Sequence, residues 1–154
     1  MALTQSAWTE KTVNSRLVLQ CTVAGTDDAD LPTVRTPKSL NPTKPWTVIV
    51  TTSEDMTASG NCAVDIWGGY TDTCSLATAD AGTGCVLAHA NSVDLDAGAT
   101  VAIHVFPGIS GTLTQVANAS PGTALIPPYP YYIINLDLSA GLQDAAYITV
   151  TIIQ

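Results

Sequence analysis

Few side chains in this sequence are of the types that chemistry requires, and their spacing fits no reaction. Nucleophilic catalysis needs a base beside the nucleophile, and the chain has two histidines, His89 in Leu87-Ala-His-Ala90 and His104 in Val101-Ala-Ile-His-Val105. Neither stands in a catalytic or metal-binding signature, and His104 is expected opposite the apolar row of its strand, so both read as structural or solvated. Glycoside hydrolysis takes a pair of carboxylates, but the two glutamates, Glu10 and Glu54, fall in a predicted arm and a predicted loop. The Asp27-Asp28-Ala-Asp30 run has the start of a calcium loop without its remaining ligands and reads as a solvated acidic turn. No phosphate-binding glycine motif occurs, and Gly68-Gly69 after Trp67 reads as a turn. Asn118-Ala-Ser120 matches a glycosylation acceptor, which matters only in a secreted chain. No catalytic residue, metal ligand or cofactor is assigned, and the chain is read as a non-enzyme.

The four cysteines, Cys21, Cys62, Cys74 and Cys85, form no C-x-x-C pair and have no histidine at zinc-ligand spacing. They are expected to be buried, reduced thiols that pack as small hydrophobes. A Cys62–Cys74 or Cys74–Cys85 bridge is the alternative, and closing a loop of that size would contribute about 3 kcal/mol. Trp67 and Tyr70 flank the glycine pair, and Tyr129, Tyr131 and Tyr132 cluster in a proline-rich approach to a strand. Such aromatics either pack a core edge or a subunit interface, or offer a platform on which sugar rings stack.

The elements that must position these residues are strands. Period-two alternation recurs along the chain with β-branched or aromatic residues on the apolar side. Leu17, Leu19, Cys21 and Val23 form one such row, Trp46, Val48 and Val50 another, and Cys62, Val64 and Ile66 a third. Val101, Ile103 and Val105, then Tyr132, Ile134, Leu136 and Leu138, then Ile148, Val150 and Ile152 complete the set, with a weaker strand over Val86–Ala90. Proline-rich stretches, Gly25–Pro45 and Pro107–Pro130, cannot be central strands because proline removes a ladder donor. Their length is uncommon in a compact domain unless they have a job, such as gripping a neighbour. A single helical turn has room only at Gly141–Ala146. The expected fold is all-β: one domain, an antiparallel β-sandwich or jelly-roll-like barrel with long loops. Residues 1–14 read as an N-terminal arm and 15–154 as the sandwich domain.

Composition narrows the partners. A chain of 154 residues buries roughly 70% of its unfolded surface and needs no staple. Only 12% of residues are charged, about half the usual share, so Thr, Ser and Ala must cover the surface. A surface poor in ions is cheap to desolvate, which favours assembly with other protein surfaces. The net charge of −8 and the small number of cations, Lys11, Arg16, Arg35, Lys38 and Lys44, all in the first third of the chain, argue against nucleic-acid binding. No apolar run reaches the roughly 20 residues of a membrane span, and the first residues lack a secretory pattern, so no membrane partner is expected and synthesis is expected in a cytoplasm.

Three segments, Ser15-Arg-Leu-Val-Leu-Gln-Cys-Thr-Val23, Thr43-Lys-Pro-Trp-Thr-Val-Ile-Val50 and Val64-Asp-Ile-Trp-Gly-Gly-Tyr70, together with the unprocessed start, resemble small virion proteins of tailed bacteriophages. More narrowly, the chain resembles head decoration, or cement, proteins. The resemblance covers roughly the first half of the chain. It implies a β-rich protein, often trimeric, that sits on the outer surface of the capsid, binds the major capsid protein and clamps adjacent capsomers. On that expectation Ala2, Leu3, Trp8, Trp67, Tyr70, Tyr129 and Tyr131 are the candidate protein-interface residues. A carbohydrate-binding module or fibre-tip lectin and a jelly-roll shell subunit are the rival expectations.

Overall fold

The chain is described by a computed structural model covering residues 4–25, 33–53, 62–71, 73–78, 81–107, 123–126, 129–138 and 146–154. Thirteen strands form: β1 (Thr4–Gln5), β2 (Thr9–Val13), β3 (Arg16–Ala24), β4 (Thr33–Arg35), β5 (Trp46–Thr52), β6 (Cys62–Gly69), β7 (Ser75–Thr78), β8 (Ala81–Thr83), β9 (Cys85–Leu95), β10 (Thr100–Pro107), β11 (Thr123–Ile126), β12 (Tyr131–Leu138) and β13 (Tyr147–Ile153). No described residue is helical, and the fold is all-β, as the alternation predicts.

The larger sheet runs in the order β1-β3-β13-β5-β10-β11, with β2 beside β1 on the same edge of β3, and the smaller runs β4-β12-β6-β9. The two face each other over one core. Leu19, Cys21 and Val23 of β3, Val48 and Val50 of β5, Ile103 and Val105 of β10, and Ile148, Val150 and Ile152 of β13 meet Val34, Val64, Ile66, Tyr132, Ile134 and Leu136 from the smaller sheet. These are the rows expected from the sequence, because a period of two sends alternate side chains to one face. Leu17 is only partly buried at the rim of its row.

The connectivity is that of one long antiparallel ribbon folded over itself. β6 pairs β9 at its tip, then β5 pairs β10, β4 pairs β12, and β3 pairs β13, each antiparallel. The ribbon is closed sideways by β13 against β5 and β12 against β6.

Several expectations are corrected. The strand expected over Val86–Ala90 extends over Cys85–Leu95. One pair, β10 with β11, is parallel, where antiparallel pairing was expected throughout. Thr33–Arg35 and Thr123–Ile126, inside the proline-rich stretches, do form strands, but at sheet edges, where a missing ladder donor is tolerated. Within residues 1–14, expected as an arm, Thr4–Gln5 and Thr9–Val13 are strands on β3: Thr4 pairs Ala24, Gln5 pairs Val23, and Thr9–Val13 pair Gln20–Arg16. The extra residue between the two registers is taken up at Ser6–Trp8. Gly68-Gly69 is not a turn but the last two residues of β6, both buried.

A second, smaller core lies on the outer face of the smaller sheet. The β7–β8 hairpin folds there, and Trp67, Cys74, Cys85 and Ile133 are buried together, with Leu76, Leu87 and Tyr131 packed around them. The glycine pair serves both cores. The Tyr129 ring occupies the place where a Gly68 side chain would stand, and Cys74 Sγ lies 2.6 Å from where a Gly69 Cβ would be. Only a residue without Cβ permits both approaches.

Candidate contact surfaces

The structure divides the sequence-predicted interface residues into three groups. Ala2 and Leu3 lie outside the described residues. Trp67 is 5% exposed, so its ring is committed to this chain's own second core and is withdrawn from any partner. Tyr70, 56% exposed just past the end of β6, is the most open aromatic of the set.

Trp8, Tyr129 and Tyr131 converge at one corner. The indole of Trp8 donates to the Arg35 carbonyl at 3.1 Å, tying the first strands to β4 of the opposite sheet. The Arg35 guanidinium lies over the Tyr131 ring at 4.0 Å from its centroid, a cation–π arrangement. Tyr129 meets Tyr132 edge-on at 6.2 Å, and Tyr132 packs at 5.2 Å against Trp46. The Tyr132 hydroxyl donates to the Pro42 carbonyl and accepts from the Tyr129 N–H, both at 3.4 Å. Burial pushes the Tyr132 phenol up to about 12. Where Arg35 meets Tyr131 opens a cleft of about 510 Å³ lined by Arg35, Thr36, Pro37, Lys38 and Tyr131. Two of the chain's five cations stand at this cleft.

A broader surface escaped the sequence reading. On the outer face of the larger sheet the strands present Val18, Gln20 and Thr22 from β3, Thr149, Thr151 and Ile153 from β13, Thr47, Ile49 and Thr51 from β5, and Thr100, Ala102 and His104 from β10. None of the twelve is Asp, Glu, Lys or Arg, and all are half-buried or exposed. Their polar groups largely pair across strands: Gln20 Nε2 donates to Thr151 Oγ1 at 3.1 Å, Thr47 Oγ1 bonds His104 Nδ1 at 2.9 Å, and Thr51 and Thr100 hydroxyls meet at 3.1 Å. The middle of this face is already satisfied and free of ions, with Arg16 of β3 and Lys11 of β2 at one edge, so covering it strips little bound water. The alternation marked these positions as outward. What it did not carry is that strands so distant in sequence lie side by side, which turns scattered threonines into one surface.

β2 forms part of that sheet's edge. Thr9, Glu10, Lys11, Thr12 and Val13 are all exposed, and among the described residues no strand pairs with its outer side. Unpaired N–H and C=O groups along such an edge can add a strand from another chain.

The residues considered for chemistry do not gather. His104 is on the Thr-rich face, Glu10 on β2, and Asp27, Asp28, Asp30, Glu54 and Asn118 lie outside the described residues, as does the side chain of His89. Among the described residues no three His, Cys, Asp or Glu side chains come together as a metal site would need. All four cysteines are buried, and no disulfide joins them. The part of the expected helical turn at 141–145 also lies outside the described residues.

Comparison with family models, with curated proteins and with solved structures finds no match to this chain.

Proposed function

We propose that this chain is a structural protein of a virion, a decoration or cement protein that binds the outer surface of a phage head and clamps adjacent capsomers. The observation that carries this reading is the uncharged, Thr-rich middle of the outer face of the larger sheet. Interface centres are depleted in charge, and the twelve neighbouring outward positions at the middle of this face carry no ion. The partners are the major capsid protein and further copies of the same chain, as a small homo-oligomer, with a trimer the first expectation. Work of this kind is mechanical. Weak contacts, repeated over a symmetric shell and linked through an oligomer, multiply into high avidity, and the buried area resists expansion of the shell.

The winding of the strands supports the same class. An antiparallel ribbon folded so that β3 meets β13, β4 meets β12, β5 meets β10 and β6 meets β9 follows the path of a double-sheet jelly roll, an architecture of capsid and lectin domains. This is a fold-level analogy, and function must rest on the surface.

The test is particle binding. Placing one charge at the middle of the face, by Ile49→Lys or Thr151→Lys, is expected to abolish occupancy on heads and their added heat resistance while leaving the circular dichroism spectrum unchanged. Deleting residues 2–10 is expected to lower both. Unchanged occupancy in all three variants overturns the proposal.

The winding also favours a second reading, a jelly-roll shell subunit. Light scattering of the purified chain separates them: a small oligomer fits decoration, and closed particles fit a shell. The sugar-binding reading receives less support. Trp67 is buried and one face of Tyr131 is covered by Arg35, which leaves Tyr70 as the most open ring of those considered for it; a glycan array with reproducible hits would restore it.

A further inference from the structure

We propose that Cys74 and Cys85 are a reversible thiol pair whose oxidation fastens the β7–β8 hairpin over the outer face of the smaller sheet. The two are the only cysteines in the second core, and they are 8% and 6% exposed. Cys21 and Cys62 belong to the main core between the sheets.

Three contacts bring the pair together. Cys85 is the ladder partner of Gly69, and it is over Gly69 that Cys74 rests, with its Sγ 2.6 Å and its Cβ 3.2 Å from where a Gly69 Cβ would stand. Directly opposed residues of an antiparallel ladder hold their Cβ atoms about 4.5–5.5 Å apart. Both cysteines therefore border one vacant side-chain position, the neighbourhood in which a disulfide, whose Cβ atoms stand roughly 3.5–4.5 Å apart, can form. Cys85 Sγ also reaches the carbonyl of Ser75, the residue next to Cys74, at 3.5 Å. Burial raises the Cys85 thiol above its ordinary range, and the neighbouring Cys74 raises it further, a second sign of their closeness.

The oxidant is a low-molecular-weight disulfide. One protein thiolate attacks a sulfur of that disulfide, forming a mixed disulfide and expelling one small thiolate, which takes up a proton. The second protein thiol, after losing its proton, displaces the remaining small thiol. Two protein thiols and one small disulfide become one protein disulfide and two small thiols. The bond closes the chain around the hairpin, so that Trp67 and Ile133 cannot be uncovered without breaking it.

The full-length chain, incubated with oxidised glutathione at pH 8.5, is expected to lose two of its four thiols and retain no glutathione. Proteolysis and mass spectrometry then yield one cross-linked peptide joining Cys74 to Cys85. Amide hydrogen exchange across residues 75–83 slows at least tenfold and returns to its starting rate on reduction. In Cys85→Ser the slowing is absent. Four intact thiols, stable glutathione adducts on both cysteines, or a bridge that includes Cys62 would each overturn the proposal. This chemistry is independent of virion binding, since neither thiol lies on the Thr-rich face.

Discussion

Gly68 shows how a single position can carry two layers of packing. It has no side chain because the Tyr129 ring lies across it, and Tyr129 in turn braces Tyr132 under Trp46. Gly68→Ala is therefore expected to cost about 1–3 kcal/mol through overpacking. Combined with Tyr129→Ala, it should cost clearly less than the sum of the two single changes, because the obstructing ring is gone; strict additivity in urea melts would refute the clash. Tyr132 itself is 0% exposed, and its phenol is held neutral mainly by burial, with the Tyr129 backbone hydrogen bond opposing the rise. Its pKa is raised from 10.0 to about 12, so the folded state holds the proton more tightly than the unfolded chain does. The stability this gives is complete below pH 10 and is lost as pH rises through 12. Absorbance titration of the five tyrosines should show one that ionises last, together with unfolding, and Tyr132→Phe should remove that component.

The β2–β3 hairpin is the clearest case of an element under local strain. Asn14 and Ser15 have φ values of 49° and 64°, which makes their two-residue connection between Val13 and Arg16 a type I′ turn. Serine is poorly suited to that conformation, and Ser15→Gly is expected to stabilise the protein by about 0.5–1 kcal/mol; a lower denaturation midpoint would contradict the turn assignment. A second junction is polar. Thr52, 2% exposed, accepts from the Ala99 N–H at 2.9 Å and donates to the Asp96 carbonyl, joining the end of β5 to the turn before β10. Thr52→Val keeps the shape and strands those groups, for a loss of about 1–3 kcal/mol in chemical denaturation. The inward rows of the main strands were legible because burial on one face imposes a period of two. The Asn-Ser turn was not, since neither residue is glycine, and its strand was read as an arm. The alternation set Trp67 opposite the row of Cys62, Val64 and Ile66, but local pattern could not reveal what covers it there: the hairpin is eight to sixteen positions further on, and its small residues carry no strong apolar signal. Tyr129, Tyr131 and Tyr132 were legible as an aromatic cluster, but Trp8 and the cations could not be joined to it, because Arg35, which Trp8 meets, reaches Tyr131 only through the pairing of β4 with β12.

At the scale of the whole molecule the two sheets share one core, with Trp46 set between them against Tyr132. Neither sheet can lose its inner face without exposing the other's, so unfolding should be a single cooperative transition. In a chain carrying Trp8→Phe and Trp67→Phe, the fluorescence of Trp46 and the far-ultraviolet circular dichroism should follow the same denaturation curve; separate midpoints would mean that the sheets come apart independently. The position of β13 has a kinetic consequence. It is flanked by β3 on one side and β5 on the other, and its Thr151 bonds Gln20, 131 residues away. During synthesis the larger sheet must therefore wait with a gap at its centre until residues 147–153 clear the ribosome. Over that interval β3 and β5 expose facing edges that only β13 is shaped to fill, which makes nascent chains on crowded polysomes the state in which this protein is most prone to pair with the wrong neighbour.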